Sequence, residues 1–520
     1  MALLAKLHAS RIVARSVVKH FERPDRLPRA LVAMAPWGQS LAALVAGAAA
    51  RYPDRVAVYD DVGSITYREM WLRSQAIASG LQAQGVGPGV GVGLLARNHR
   101  GFIEAMTAVA ATGANLVLLN TGFAGPQLDD VVDLEHIEVV IHDDEFASVV
   151  ESCGARLLLG EAALDEMALS GEVSPGAKSG SIVILTSGTT GRPKGAARGT
   201  DASGVEAIAA LLERIPMRVG DTQVIAAPLF HSWGFSHLLL GLSRCTTNVL
   251  ARKFDPEMTL RATSHLDARV LVVVPVMLTR IMALPDETVQ RWGTPALEVI
   301  ASSGSAIGPK LVTEVLDHFG PVLYNLYGST EVAVATIADP NDLRRDPSTA
   351  GRVALGVKVE IVDKQGAPVA EGEVGRVFVG GAMKFDGYTN GSDKERLRGM
   401  LSSGDMGYFR DGLLFIEGRD DDMIVSGGEN VFPREVEDLL QHHPAVADVA
   451  VVGIPDDEFG QVLSVFIVRE KGKQLTEPQV REHVRKNLAR HKVPRQVSFV
   501  TELPRNTTGK LLRRSLVDND

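Results

Sequence analysis

A chain of 520 residues, 45% hydrophobic and 22% charged, with 51 glycines and a mean hydropathy of +0.07, is a globular protein with enough apolar content to bury a large core. Its length predicts about two to four domains or lobes, and its composition excludes a disordered, collagen-like or coiled-coil chain. The net charge of −9 argues against a general nucleic-acid coat, and two cysteines, Cys153 and Cys245, cannot build a disulfide framework, so a cytoplasmic, reducing setting is expected.

Residues 1–29 carry seven Lys/Arg against Glu22 and Asp25. With Leu3, Leu4, Leu7, Ile12, Val17 and Val18 they read as a basic amphipathic helix. Such a helix could lie on an anionic membrane surface, giving a peripheral contact, or dock on the body of the protein. Ala30 to Ala50 holds no charge and is long enough to span a bilayer, yet Pro36, Gly38, Gln39 and Ser40 interrupt it. Ser40 reads instead as the N-cap of an Ala-rich core helix running through Arg51.

From residue 55 to 330 short apolar runs alternate with helical stretches. Ile182–Leu185, Val224–Ala227, Leu271–Val274 and Val299–Ala301 read as parallel strands buried on both faces. The glycines 85, 87, 89, 91 and 93 match no dinucleotide fingerprint and predict a turn before a strand at Val92–Leu95. Beyond residue 340, Val357–Val362 and Val377–Val379 predict a β-rich subdomain. After the polar break Gly418–Asp422, about a hundred residues read as a compact α+β domain, with Thr476 capping a helix whose Val480, Val484 and Leu488 face inward. From Arg469 to Arg514 thirteen Lys/Arg face four acids, a solvated face or a surface for a polyanionic cofactor.

Four segments carry chemistry. Directly after Ile182–Leu185 comes Thr186-Ser187-Gly188-Thr189-Thr190-Gly191-Arg192-Pro193-Lys194-Gly195. Hydroxyls and glycines at a strand end present many donors to one point, as a phosphate cradle does, and Lys194 adds positive charge. It is not a Walker A loop, which the chain lacks. The second cluster is Ser302-Ser303-Gly304-Ser305 with Asn325-Leu326-Tyr327-Gly328-Ser329-Thr330-Glu331. Here glycine admits a flat heterocycle, tyrosine offers a face, Asn325 can read a base edge and Glu331 can hold Mg²⁺. Third is Ser403-Gly404-Asp405, a carboxylate able to bind ribose hydroxyls, and fourth is Pro504-Arg505-Asn506-Thr507-Thr508-Gly509-Lys510.

In this order the segments resemble the adenylate-forming superfamily of acyl-CoA synthetases, peptide-synthetase adenylation domains and luciferases, over roughly residues 40–515. The resemblance implies an α/β fold: a large N-terminal domain of layered α/β lobes with a β-rich subdomain (39–418), and a hinge (419–422). A small mobile α+β C-terminal domain (423–520) then follows, with residues 1–38 a basic extension. It implies ATP, Mg²⁺ and coenzyme A as co-substrates: a carboxylic acid is activated to an acyl-adenylate, then passed to the thiol. Thr186 to Lys194 would hold the β- and γ-phosphates, and Thr186 and Glu331 the metal. Gly304, Ser305, Asn325 and Tyr327 would frame adenine, Gly328 would belong to the same nucleotide site, Thr330 would meet the α-phosphate, and Asp405 and Arg419 the ribose. Lys510 would bridge carboxylate and α-phosphate during adenylation. A swing about Asp421, where many relatives carry lysine, would then bring Gly427, Gly428, Glu429 and Asn430 to the thiol channel. No side-chain nucleophile is required, and G-x-S-x-G is absent.

For the acid, Phe230-His231-Ser232-Trp233-Gly234-Phe235 resembles the acyl-site segment, with His231 near the carboxylate, Trp233 a gate or a core residue, and Ser303 and Gly304 beside the acyl chain. Residues 228–243 hold no acidic side chain to receive an α-ammonium, which favours a fatty or other apolar acid. Ser303 stands where relatives usually have glycine, narrowing the site. The leading expectation is therefore a fatty-acid or medium-chain acyl-CoA synthetase. The alternatives are an acyl-AMP ligase serving a carrier protein, and a non-catalytic nucleotide- or membrane-binding relative. Homodimers are common among such proteins, and no nucleic-acid partner is expected.

Overall fold

The short apolar runs become the interior strands of two large sheets. The computed structural model describes residues 25–169, 171, 179–187, 193–198, 203–381, 385, 387–389, 391, 393–420, 422–426, 429–456, 459–506 and 509–517. In the nine-stranded sheet the parallel series is Leu323–Ser329, Val299–Ser302, Val270–Val273, Thr222–Ile225, Thr247–Val249 and Val56–Asp60. Antiparallel strands close both edges: Ala333–Ala338 and Arg352–Val353 on one side, Gly63–Thr66 on the other. A six-stranded sheet runs Leu157–Leu159, Ile137–His142, Gly91–Leu95, Asn115–Leu118, Ile182–Ser187 and Pro193–Arg198, parallel except for its last strand. Val270–Val273, Val299–Ser302 and Gly91–Leu95 are buried at every position, because helices cover both faces of a parallel sheet. One continuous core joins the two sheets through the helices Leu41–Arg51, Tyr67–Ala83 and Arg100–Thr112.

Two smaller sheets follow. Lys358–Val362, Gly375–Gly380, Met400–Arg410, Arg396–Leu397 and Leu413–Arg419 form the β-rich subdomain. Glu429–Val431, Ile424–Ser426, Gly460–Arg469, Val446–Asp456 and Gln496–Val500 form the sheet of the C-terminal domain, which has a hydrophobic core of its own. The molecule is thus the expected mixed α/β fold, a large N-terminal domain followed by a small C-terminal one.

Local signals hold up well. Ser40 Oγ accepts from Ala43 N (3.4 Å) at the start of Leu41–Arg51. Gln479 Oε1 accepts from both the amide and the hydroxyl of Thr476 (2.9 and 2.8 Å) ahead of the helix Glu477–Asn487. The strand expected at Val224–Ala227 ends at Ile225 instead, and the amides of Ala226 and Ala227 both donate to Val272 O as the chain turns toward Pro228. Among the described residues no helix is long and apolar enough to cross a membrane. The basic amphipathic helix expected over residues 1–29 falls mostly outside the described residues; its end joins the helix Arg26–Met34.

Candidate active site

The segment expected to hold phosphate begins and ends in two strands that pair antiparallel. Ile182–Ser187 continues two residues past its apolar run, so Thr186 and Ser187 lie in the ladder, opposite Lys194 and Pro193. Sequence reading placed them in the loop after the strand. The antiparallel return of Pro193–Arg198 pulls them into pairing, and proline is tolerated there because the strand is a sheet edge. Gly188, Thr189, Thr190 and Gly191 lie outside the described residues. Lys194 returns on the second strand with its Nζ over the ring of Tyr388, 5.2 Å from the centroid. Thr389, next in the chain, donates its amide to Gly195 O (2.9 Å) and its hydroxyl to Glu135 (2.5 Å), fixing the hairpin from outside.

Tyr388 also donates its hydroxyl to Glu331 Oε1 (2.6 Å), and Ser329 donates to Glu331 Oε2 (2.7 Å). Burial by itself would raise the Glu331 carboxyl. The Lys394 charge and these two hydrogen bonds outweigh it and hold the group below its ordinary value, so it is ionised at neutral pH. Thr330 sits in the turn beside it, between Leu323–Ser329 and Ala333–Ala338. Gly328 makes that turn possible: a Cβ there would lie 1.8 Å from Ala333 O. Sequence reading missed Tyr388 and Lys394. Both stand in a polar, turn-rich stretch from 385 to 395 whose only signal is a tyrosine between glycines, Gly387 and Gly391.

The residues expected at the nucleotide come from three sheet segments. Tyr327 donates to Asp405 Oδ2 (2.5 Å), and Arg419 Nη1 stands 3.8 Å from Asp405 Oδ1. Burial raises the Asp405 carboxyl, opposed by Tyr327 and Arg419. Burial and the neighbouring carboxylate push the Tyr327 phenol well above its usual value, so it stays a donor. Asn325 is buried and its Oδ1 has no hydrogen-bond partner among the described residues. An orphaned amide oxygen matches the exocyclic amine of a purine, so the residues present fit a nucleotide. Gly304 and Ser305 follow the strand Val299–Ser302, and Gly304 has φ 97°, a conformation that glycine adopts without strain.

The residues expected at the acid gather at the same strand ends. The turn Pro228–His231 enters the helix Ser232–Ser243; Trp233 Nε1 donates to Val273 O (3.0 Å), and a Cβ at Gly304 would sit 3.3 Å from Val274. Ser303 Oγ donates to Leu326 O (2.9 Å), so its hydroxyl is engaged with the backbone. His231 packs on Phe230 with ring centroids 4.5 Å apart, its Nε2 buried without a partner among the described residues, and burial lowers its pKa to about 4. A neutral imidazole at this place can give one hydrogen bond to a carboxylate but adds no charge.

Lys510 reaches this edge from the C-terminal domain. Its amide donates to Asn506 Oδ1 (2.8 Å) in a turn closed by Gly509 N to Asn506 O (2.8 Å). A Cβ at Gly509 would lie 2.2 Å from Val276 Cγ1, so this turn rests on the start of the helix Pro275–Met282, two residues beyond Val274. Asp421, Gly427 and Gly428 lie outside the described residues, while Glu429 and Asn430 start a short strand. The residues flanking Asp421 are tied to opposite sides: Asp420 pairs with Arg376 (3.4 Å) of the subdomain, Asp422 with Arg513 (3.5 Å) of the C-terminal domain.

The profile of AMP-binding enzymes matches residues 45–389, and that of their C-terminal domain matches residues 435–510. The chain belongs to the AMP-binding enzyme family. A 2-succinylbenzoate–CoA ligase from Geobacillus kaustophilus is 32% identical over 471 residues, covering 89% of this chain and 95% of the relative. A feruloyl-CoA synthase from an Amycolatopsis species is 32% identical over 473 residues, with the same coverage. An anthranilate–CoA ligase, AuaEII, solved with anthranoyl-AMP, superposes with a TM-score of 0.84 at 23% identity, covering 92% of this chain and 96% of that one, and shares the fold. The enzyme is an adenylate-forming CoA ligase, and such ligases use ATP, Mg²⁺ and coenzyme A.

Proposed function

We propose that the enzyme activates an aromatic carboxylic acid as its acyl-adenylate and transfers the acyl group to coenzyme A. The observation carrying this reading is the segment assigned to the acid: Phe230 and His231 pack ring on ring, Trp233 follows at the start of the next helix, and residues 228–243 supply no acidic group. Aromatic side chains favour a ring over a flexible chain, because stacking adds to area burial and a rigid acid loses little entropy on binding. The relatives, named for succinylbenzoate and ferulate, support the aromatic branch; the expectation of a fatty acid and of lipid metabolism gains no support from them.

The chain's own groups fit the first half-reaction. Two anions must meet. Lys194 and Lys510 approach from the hairpin and from the C-terminal turn, and their charge offsets the repulsion as the carboxylate attacks the α-phosphate. Glu331, held ionised and oriented by Tyr388 and Ser329, and the Thr186 hydroxyl would hold Mg²⁺, which when bound neutralises phosphate charge and favours pyrophosphate as a leaving group. Asp405 and Arg419 would fix the ribose, and Asn325 and Tyr327 the base. His231, neutral, would orient the carboxylate by one hydrogen bond. For the second half-reaction we place the hinge at 419–422, between domains 39–418 and 423–520. Its two flanking ion pairs would stay with their own domains while Asp421 turns, and Glu429 and Asn430 would then approach the thiol.

The test is a product assay with purified protein, Mg-ATP and coenzyme A against benzoate, cinnamate, ferulate, 2-succinylbenzoate, octanoate and palmitate. Aroyl-CoA and AMP from benzoate, cinnamate and ferulate, at kcat/KM well above the alkanoates, is the expected result. Preference for octanoate or palmitate restores the fatty-acid reading. Adenylate that accumulates and ignores coenzyme A points to a carrier-protein ligase.

A further inference from the structure

Behind Trp233 lies a group of polar atoms that the reaction does not use. His237 follows one helical turn later on Ser232–Ser243, fully buried, its ring set edge-on against Trp233 with centroids 4.4 Å apart. Both of its ring nitrogens lack a hydrogen-bond partner among the described residues. Below it, Gln223 on the strand Thr222–Ile225 is also fully buried. Its Nε2 donates to His237 O (3.1 Å) and to Asn248 Oδ1 (2.6 Å), while its Oε1 has no partner among the described residues. The neighbouring helix positions Phe235, Leu238, Leu240 and Leu242 are apolar and buried. If His237 served packing alone, a leucine would serve better, because a buried polar atom left unpaired costs free energy that an apolar group of like shape does not.

Resting on the reading of Trp233 and Gly304 as the acid site, we infer that the site continues past Trp233 to a polar terminus made by His237 and Gln223. The preferred acid then carries a neutral hydrogen-bonding group, a hydroxyl or amine, at the end remote from its carboxylate. The chemistry selects that class. A neutral imidazole offers one donor and one acceptor, and Gln223 Oε1 a second acceptor, which together match a hydroxyl or an amine. Burial holds His237 neutral, at a pKa of about 3, so no cation waits for a second carboxylate, and a distal carboxylate is rejected. A site built to hydrogen-bond a substituent discriminates strongly against the analogue that lacks it, since its own polar groups are then left bare.

The experiment compares matched acids on the full-length enzyme: 4-hydroxy-, 4-amino-, 4-methyl- and 4-carboxycinnamate, and in parallel 8-hydroxyoctanoate against octanoate. For the wild type the expected kcat/KM ratio of hydroxy to methyl acid is about tenfold to a hundredfold, carried mainly by KM, with the 4-carboxy acid poorest. His237→Leu brings the ratio to about one or below by losing the hydroxy acid, and His237→Gln restores part of it. Thermal melting of each variant separates loss of recognition from loss of fold. Equal ratios in wild type and His237→Leu, or a wild type that favours the methyl acid, overturns the proposal and leaves His237 a core residue served by buried water. Silence on every cinnamate with turnover of the octanoates removes the aromatic reading alone, and the polar terminus is then judged on the hydroxyoctanoate ratio by the same criteria.

Discussion

At the end of the site proposed for the phosphates and the ribose, the charged groups are held by the protein's own side chains. Glu331 has two hydroxyl donors and a nearby lysine, Asp405 has Tyr327 and Arg419, and Lys194 lies on the face of Tyr388. Among the residues proposed for the acid and the base the reverse holds: His231 Nε2, both nitrogens of His237 and Asn325 Oδ1 are buried without partners among the described residues. The contrast follows from the cost of each arrangement. An unpaired buried charge would be too costly to keep, so charges are pre-arranged by the protein, which is also the condition for stabilising a charged transition state. A neutral polar atom left bare costs far less, and that cost is recovered when the right ligand binds, so it acts as a selector. Chemistry is thus built into the protein at one end, and recognition is left open at the other.

The largest expected break comes from the charge supplied last. Lys510→Ala should lower adenylation about a hundredfold or more while largely sparing thioester formation from supplied acyl-adenylate, read by pyrophosphate release and acyl-CoA formation separately. Equal loss of both steps would sink the assignment of this lysine to the first half-reaction. Next, Asn325→Leu removes an orphaned acceptor and should raise the KM for ATP about tenfold, with the KM for the acid little changed; a shift in the acid KM instead would move Asn325 out of the base site. Tyr388→Phe tests the pre-arranged end. With its hydroxyl gone from Glu331, kcat should fall about tenfold and the Mg²⁺ concentration for half-maximal rate should rise, whereas a purely structural tyrosine would change melting without changing the metal requirement.

The smallest effect is on stability. His231 and His237 titrate near 4 and 3 when folded, below the 6.5 of an exposed histidine. The unfolded chain therefore takes up protons first on acidification, and stability present above pH 6.5 is lost as pH falls toward 4. By pH 5 each contributes a loss of about 2 kcal/mol. Urea midpoints at pH 7 and 5 should differ less in His237→Leu than in the wild type; an unchanged difference would mean that this imidazole is hydrated.

Much of the architecture was legible because it rests on local rules. The fully apolar runs marked parallel strands, the Ser40 and Thr476 caps marked helix starts, and the polar break after Arg419 marked the change from the subdomain to the C-terminal sheet. Thr186, Glu331, Asp405 and Lys510 were nameable because their segments, in this order, resemble the adenylate-forming superfamily, and that resemblance implies the phosphate, metal, ribose and adenylation roles proposed for them. Other facts needed the fold. Tyr388 joins Lys194 to Glu331 across 194 and 57 residues of chain, respectively, and only the stacking of the subdomain on the hairpin brings them together. Thr186 and Ser187 belong to a ladder because an edge strand returns beside them, which their glycine-rich surroundings conceal. Above all, His237 in a run of leucines is one polar letter in the sequence. That both its nitrogens are bare, one turn behind Trp233 and above Gln223, depends on how helix and sheet pack, because hydrogen-bond satisfaction is a property of three-dimensional neighbours.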